Sequence, residues 1–186
     1  MKYDKILIKN GTVTSSNSQN LRDVLVSNGK IISVEKNINI EADKIIDASQ
    51  KFIIPGGIDP QVHFREPGLT HKEDIRSGGR AAVSGGITTF FEMPNTKPAT
   101  TNSTLLEQKF KIAESSSVAN FSFFLGATPD NIEEIKNLEG SCGVKIFMGS
   151  STGDLLVDNN SDLEKIFKYS KKIIAIHSED EKILNE

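Results

Sequence analysis

The chain is 186 residues long, 37% hydrophobic and 25% charged, with a formal net charge of −3 and one cysteine, Cys142, which suits one globular domain, or one and a small lobe. A mildly acidic balance without any basic run argues against nucleic acid or an anionic membrane as a partner, and a lone cysteine excludes an internal disulfide and suits a reducing compartment. The apolar patch Ile6 to Ile8 is too brief for a signal peptide, and no apolar run nears the roughly 20 residues of a bilayer span, so a soluble cytoplasmic protein is expected.

Residues 1–51 are predicted to be all β. Ile6-Leu7-Ile8, Val24-Leu25-Val26 and Ile31-Ile32-Ser33-Val34 are short apolar runs separated by the turn dipeptides Asn10-Gly11 and Asn28-Gly29. Asp43 to Asp47 adds another strand. The rhythm changes at Phe52, and residues 52–186 read as a second domain. Phe52 to His63 is predicted as a strand, Lys72 to Ser84 as a helix ended by Gly85-Gly86, and Ile87 to Glu92 as a strand. Then come a helix over Ser103 to Glu114, a strand over Asn120 to Leu125 and a short helix over Asn131 to Leu138. Cys142 to Met148 reads as a strand, Asp162 to Ser170 as a helix, and Ile173 to His177 as a strand. Ser115-Ser116-Ser117 and Asn159-Asn160-Ser161 read as loops, and His71 as a surface residue at a helix start.

β units with helices between them, recurring every ~20–35 residues, fit βα crossovers. Strands as apolar as Ile-Thr-Thr-Phe-Phe and Val-Lys-Ile-Phe suit burial on both faces. An open doubly wound sheet and a (β/α) barrel both accept this series, although a barrel ordinarily takes about 250 residues. No glycine-rich phosphate motif follows any strand.

The unusual polar residues gather at strand ends, where α/β barrels place their chemistry. On an extended segment Gln61, His63 and Arg65 would share one side, an arrangement suited to a metal beside an anion. His63 could equally be a hydrogen-bonded strand-end histidine, and Arg65 a partner of Glu66 or Asp59. Asn95, in Met93-Pro94-Asn95-Thr96, could be a turn residue. Lys145 lies among Val144, Ile146 and Phe147. It either snorkels to the strand end or is an amine desolvated enough to react, for instance with carbon dioxide to give a metal-bridging carbamate. His177 closes the last strand as a ligand or as a satisfied histidine.

The stretch Pro55-Gly56-Gly57-Ile58-Asp59-Pro60-Gln61-Val62-His63-Phe64-Arg65-Glu66-Pro67-Gly68, with Glu92-Met93-Pro94-Asn95-Thr96, Val144-Lys145-Ile146-Phe147-Met148 and His177-Ser178-Glu179, resembles the dihydroorotases. These belong to the amidohydrolase superfamily, with hydantoinases and allantoinases as relatives. The resemblance implies an α/β fold, a (β/α)8 TIM-type barrel, with a small N-terminal β-sandwich segment. It implies Zn2+, one ion or two, held by His63, His177 and a carboxylated catalytic Lys145. Arg65 and Asn95 would bind the substrate carboxylate. The implied reaction is reversible hydrolysis of dihydroorotate to N-carbamoyl-aspartate in pyrimidine biosynthesis. Alternatives are an allantoinase or hydantoinase acting on another cyclic amide, or a non-catalytic scaffold for a transcarbamoylase partner. A homo-oligomer is expected.

Two departures from the family pattern matter. Gln61 stands where a first histidine is usual, and an amide oxygen is a poorer zinc ligand than imidazole, so metal content nearer one zinc than two is expected. The family's histidine from the sixth strand and aspartate from the eighth have no counterpart, so a barrel truncated after about five strands is expected. The 186 residues alone are expected to be inactive, with raw sheet edges liable to associate.

Overall fold

The computed structural model describes residues 3–149 and 155–184. It divides into two compact units, residues 1–55 and 56–186. The first is a mixed sheet of β1 (Lys5–Thr14), β2 (Gln19–Ser27), β3 (Lys30–Glu35), β4 (Lys44–Asp47) and β5 (Phe52–Ile53), in the order β3-β2-β1-β4 with β5 also on β1. β1, β2 and β3 pair antiparallel, whereas β4 and β5 join β1 in parallel.

The two Asn-Gly dipeptides do different things. Asn28-Gly29 makes the predicted two-residue hairpin, with φ of 50° and 74°, both positive as a type I′ turn requires. Asn10-Gly11 makes no turn. β1 runs straight through it as a bulge, its register with β2 slipping between Ile8 and Gly11. The Asn10 N–H, freed from the ladder, donates to Asp23 Oδ1 at 2.9 Å. The predicted strand Phe52 to His63 is also two strands. Phe52–Ile53 pairs with β1, and pairing resumes at Gly57 on β7, interrupted across Ile54-Pro55-Gly56 where proline can donate no ladder bond.

The second unit alternates β6 (Gly57–Val62), α1 (Ile75–Ser84), β7 (Ile87–Glu92), α2 (Ser103–Ser116), β8 (Asn120–Gly126), α3 (Ile132–Lys136), β9 (Gly143–Phe147), α4 (Asn160–Tyr169), β10 (Ile174–His177) and α5 (Glu181–Leu184). All its strand pairs are parallel, in the order β10-β9-β8-β7-β6. Each strand is added beside the previous one without reversal, which is barrel order; a doubly wound sheet would switch direction. The unit therefore contains five consecutive strands of a (β/α) barrel. One sheet face, with Phe90, Phe123, Leu125, Val144 and Ile146, packs on Ile75, Leu106, Ala113 and Ile166 of the helices.

Helix ends follow their caps more closely than the apolar pattern. α1 begins at Ile75 rather than Lys72, because Asp74 accepts from the Ser77 N–H at 2.6 Å and Glu66 Oε2 accepts from the Ile75 N–H at 2.9 Å. His71 and Lys72 lie in the turn before it. Ser115 and Ser116, predicted as loop, complete α2 with their hydroxyls bonded back to Ile112 O, and Ser117 caps it. Asn159 is the N-cap of α4, so Asn160 and Ser161 are helical. No helix among the described residues is long and apolar enough to cross a membrane.

Candidate active site

The end of β6 departs from simple alternation. Asp59 pairs with Phe90 but Val62 pairs with Glu92, so β6 carries one extra residue, and the Gln61 N–H folds back onto Asp59 Oδ1 at 3.0 Å. Arg65 has a left-handed φ of 72°. With the bulge inside residues 59–62 and a left-handed residue at 65, the segment is not one regular extended strand through Arg65. Gln61 is exposed, whereas His63 and Arg65 are half-buried.

His63 Nδ1 lies 2.9 Å from Asn95 Oδ1. An amide oxygen only accepts, so the pairing puts the hydrogen on Nδ1 and leaves the Nε2 lone pair free. Burial lowers the His63 pKa, the Asn95 bond opposes this, and the charges of Arg65, Lys145 and Lys109 lower it further. The ring is thus neutral at neutral pH. Arg65 Nη1 donates to Asn95 O at 3.3 Å, so its recorded bond is neither to Glu66 nor to Asp59. The 62–68 and 93–97 segments are laced together by Met93 N–H to Val62 O and Lys97 N–H to Pro67 O, both 3.0 Å. Gly68, at φ 86°, permits that closeness, since a Cβ there would fall 1.9 Å from Lys97 O.

Sequence reasoning missed Glu92 and Lys109. Both side chains are wholly buried, with Glu92 Oε2 3.1 Å from Lys109 Nζ. This is an ion-pair contact rather than an aligned hydrogen bond, since Oε2 has no hydrogen-bond donor. Glu92 Oε1 accepts from the Arg65 N–H at 2.8 Å, and Lys109 Nζ donates to Met93 O at 3.1 Å. Burial pushes the carboxyl pKa up and the amine pKa down, each opposed by the partner's charge. A signal was available: Lys109 occupies the buried stripe of α2 with Leu106 and Ala113.

Lys145 sits in the middle of β9, all five of whose residues are buried. It is 2% exposed. Its Nζ lies 5.0 Å from the Phe147 ring centroid and, among the described residues, has no hydrogen-bond or ion-pair partner. Burial lowers its pKa with nothing to oppose it. Gly126 lies abreast of Lys145 on β8. Ala175 neighbours Lys145 on β10, and His177 neighbours Phe147, whose ring it stacks on at 6.2 Å and 28°. Lys145, Phe147 and His177 thus share the sheet face opposite the helices. His177 Nε2 contacts Glu179 Oε2 at 3.1 Å, and its side chain is 39% exposed. Among the described residues, no three His, Cys, Asp or Glu side chains converge as a ready metal cluster.

The barrel segment places His177 at the end of β10 and His63 and Arg65 just past β6, with the buried Lys145 amine inside β9, and the C-terminal ends of strands are where βα barrels carry their chemistry. The chain belongs to the amidohydrolase family, which matches residues 52–180. It is 40% identical over 185 residues to a dihydroorotase of Methanosarcina acetivorans, covering 96% of this chain and 39% of that protein. It is 34% identical over 198 residues to an allantoinase of Salmonella newport, covering 100% of this chain and 43% of that one. Among solved structures, the L-hydantoinase (dihydropyrimidinase) of Arthrobacter aurescens superimposes with a TM-score of 0.92 at 30% identity, over 99% of this chain and 42% of the other. The chain therefore spans well under half the length of these relatives.

Proposed function

We propose that this chain belongs to a zinc-dependent cyclic amidohydrolase of the dihydroorotase type, interconverting dihydroorotate and N-carbamoyl-aspartate. The observation that carries the reading is Lys145, a buried amine that among the described residues has no hydrogen-bond or ion-pair partner, on the face it shares with His177. A protonated amine there would repel a cation. A neutral one can add carbon dioxide, forming an N–C bond and releasing a proton, which replaces a cationic group with an anionic ligand. With that change the donor types are ones zinc takes: the imidazole of His63 through Nε2, the imidazole of His177 once released from Glu179, and a carboxylated Lys145. When bound, zinc supplies Lewis acidity at neutral pH.

The remaining roles belong to the chain's own polar groups. Arg65 brings a guanidinium fork suited to a carboxylate, and Asn95, its Oδ1 occupied by His63, keeps its Nδ2 hydrogens for the same anion. The 40% identity to a dihydroorotase, against 34% to an allantoinase, supports this assignment. A second reading, an allantoinase or hydantoinase, is favoured by the allantoinase match over the whole chain and by the hydantoinase superposition. It leaves the Arg65–Asn95 pair without a carboxylate to bind. A pure scaffold for a transcarbamoylase would have no use for a desolvated, unpaired Lys145.

The test is turnover of dihydroorotate, allantoin and hydantoin by the full-length protein, with and without added zinc. Preferential, zinc-dependent turnover of dihydroorotate supports the reading. Preference for either other ring moves it to the second, and no turnover of any of them overturns both.

A further inference from the structure

The Glu92–Lys109 pair is unused by the chemistry above, yet it is sealed from solvent beneath the two segments that carry the candidate substrate residues. One carboxylate oxygen faces Lys109 and the other accepts the Arg65 N–H. Arg65 is not glycine, and a left-handed backbone there needs an anchor. The ammonium group is shared in turn, reaching both Glu92 and the Met93 carbonyl, two residues before Asn95.

We propose that Glu92 and Lys109 form a positioning pair. Glu92 fixes the left-handed Arg65 so that its guanidinium crosses to the Asn95 carbonyl, and Lys109 clamps both Glu92 and the start of the Asn95 segment. Together they hold Arg65 and Asn95 ready for a substrate anion. The consequence for catalysis rests on the dihydroorotase-type reading; the consequence for the Arg65 backbone does not.

Two double variants separate positioning from bulk packing. Glu92→Gln with Lys109→Met removes both charges but keeps an amide oxygen for the Arg65 N–H. Glu92→Met with Lys109→Met removes the charges and the acceptor. Replacing a buried ion pair by uncharged residues of similar volume commonly leaves a fold intact, so both should remain folded. In the full-length protein, KM for dihydroorotate should rise at least ~10-fold in the Met/Met variant with kcat nearly unchanged, and rise clearly less in Gln/Met, which lacks the Lys109 clamp but keeps the acceptor for the Arg65 N–H. Equal kinetics in the two variants would overturn the proposal.

Amide hydrogen exchange at Arg65 gives a readout independent of turnover. The Arg65 N–H should exchange slowly in wild type and Gln/Met and fast in Met/Met. If a variant fails to fold, wild type alone decides: exchange at open-loop rates removes the anchor and the proposal with it. Absence of turnover with the predicted exchange pattern would sink the functional reading and leave the pair's role standing.

Discussion

In the N-terminal sheet, the buried carboxylate of Asp23 is met chiefly by backbone. It accepts from the N–H groups of Asn10 and Ile38, both at 2.9 Å, with Lys9 Nζ further off at 3.4 Å. In the strand–helix unit, Glu92 has a single backbone donor and depends on a buried ammonium. The pKa directions record the difference. The backbone bond from Asn10 leads in lowering that of Asp23, while desolvation leads in raising that of Glu92. Two oriented N–H dipoles replace lost water at one site, and a counter-ion compensates only in part at the other. Lys145, in the same unit, has neither kind of compensation among the described residues. Packing among the described residues explains Asp23 and Glu92 but not Lys145.

Breaking the counter-ion site should have the largest effect. Lys109→Met alone strands the Glu92 carboxylate among apolar neighbours and should destabilise the protein by about 3–5 kcal/mol, read from urea unfolding. A much smaller loss would mean that Glu92 takes up a proton and needs no partner. Asp23→Ala should follow, at about 2 kcal/mol, because the Asn10 and Ile38 N–H groups lose their acceptor. Asp23 also has a pH signature. Its folded pKa lies below the ordinary 3.8, so its contribution is complete above that value and fades as pH falls through the lower folded one. The unfolding midpoint of Asp23→Asn should therefore decline less steeply than wild type in that acid range.

The contrast between these sites also explains what was legible in the sequence. The series of strands and helices could be read because doubly buried strands are apolar throughout and the crossovers are evenly spaced. Lys145 stood out because its neighbours are Val144 and Ile146. The two Asn-Gly dipeptides could not be told apart locally: Asn28-Gly29 turns and Asn10-Gly11 bulges because Asp23, thirteen residues away, captures the Asn10 N–H. The irregular backbone before His63 could not be read locally, because the extra residue on β6 shows only in the register with β7. Glu92 and Lys109 come from different elements, so their pairing appears only once α2 lies on the sheet.

The two buried lysines of the strand–helix unit should respond with opposite signs. Removing paired Lys109 destabilises, whereas Lys145→Met in metal-free protein deletes an amine whose desolvation no described residue offsets. It should raise the unfolding free energy by about 1 kcal/mol while abolishing zinc-dependent turnover. A loss of stability instead would show that the amine has a stabilising partner in solution.

Lys111 is the control at the other extreme. It pairs with Glu107 at 2.7 Å across one turn of α2, but both side chains are 67% exposed. Water already solvates each charge, so the contact replaces one favourable environment with another. Lys111→Ala should leave the unfolding midpoint unchanged within error, although the residue stands two positions from Lys109 on the same helix. A shift approaching that of Lys109→Met would mean that helix propensity or long-range charge, rather than burial, governs the whole series. The contrast between Lys109 and Lys145 would then lose its meaning.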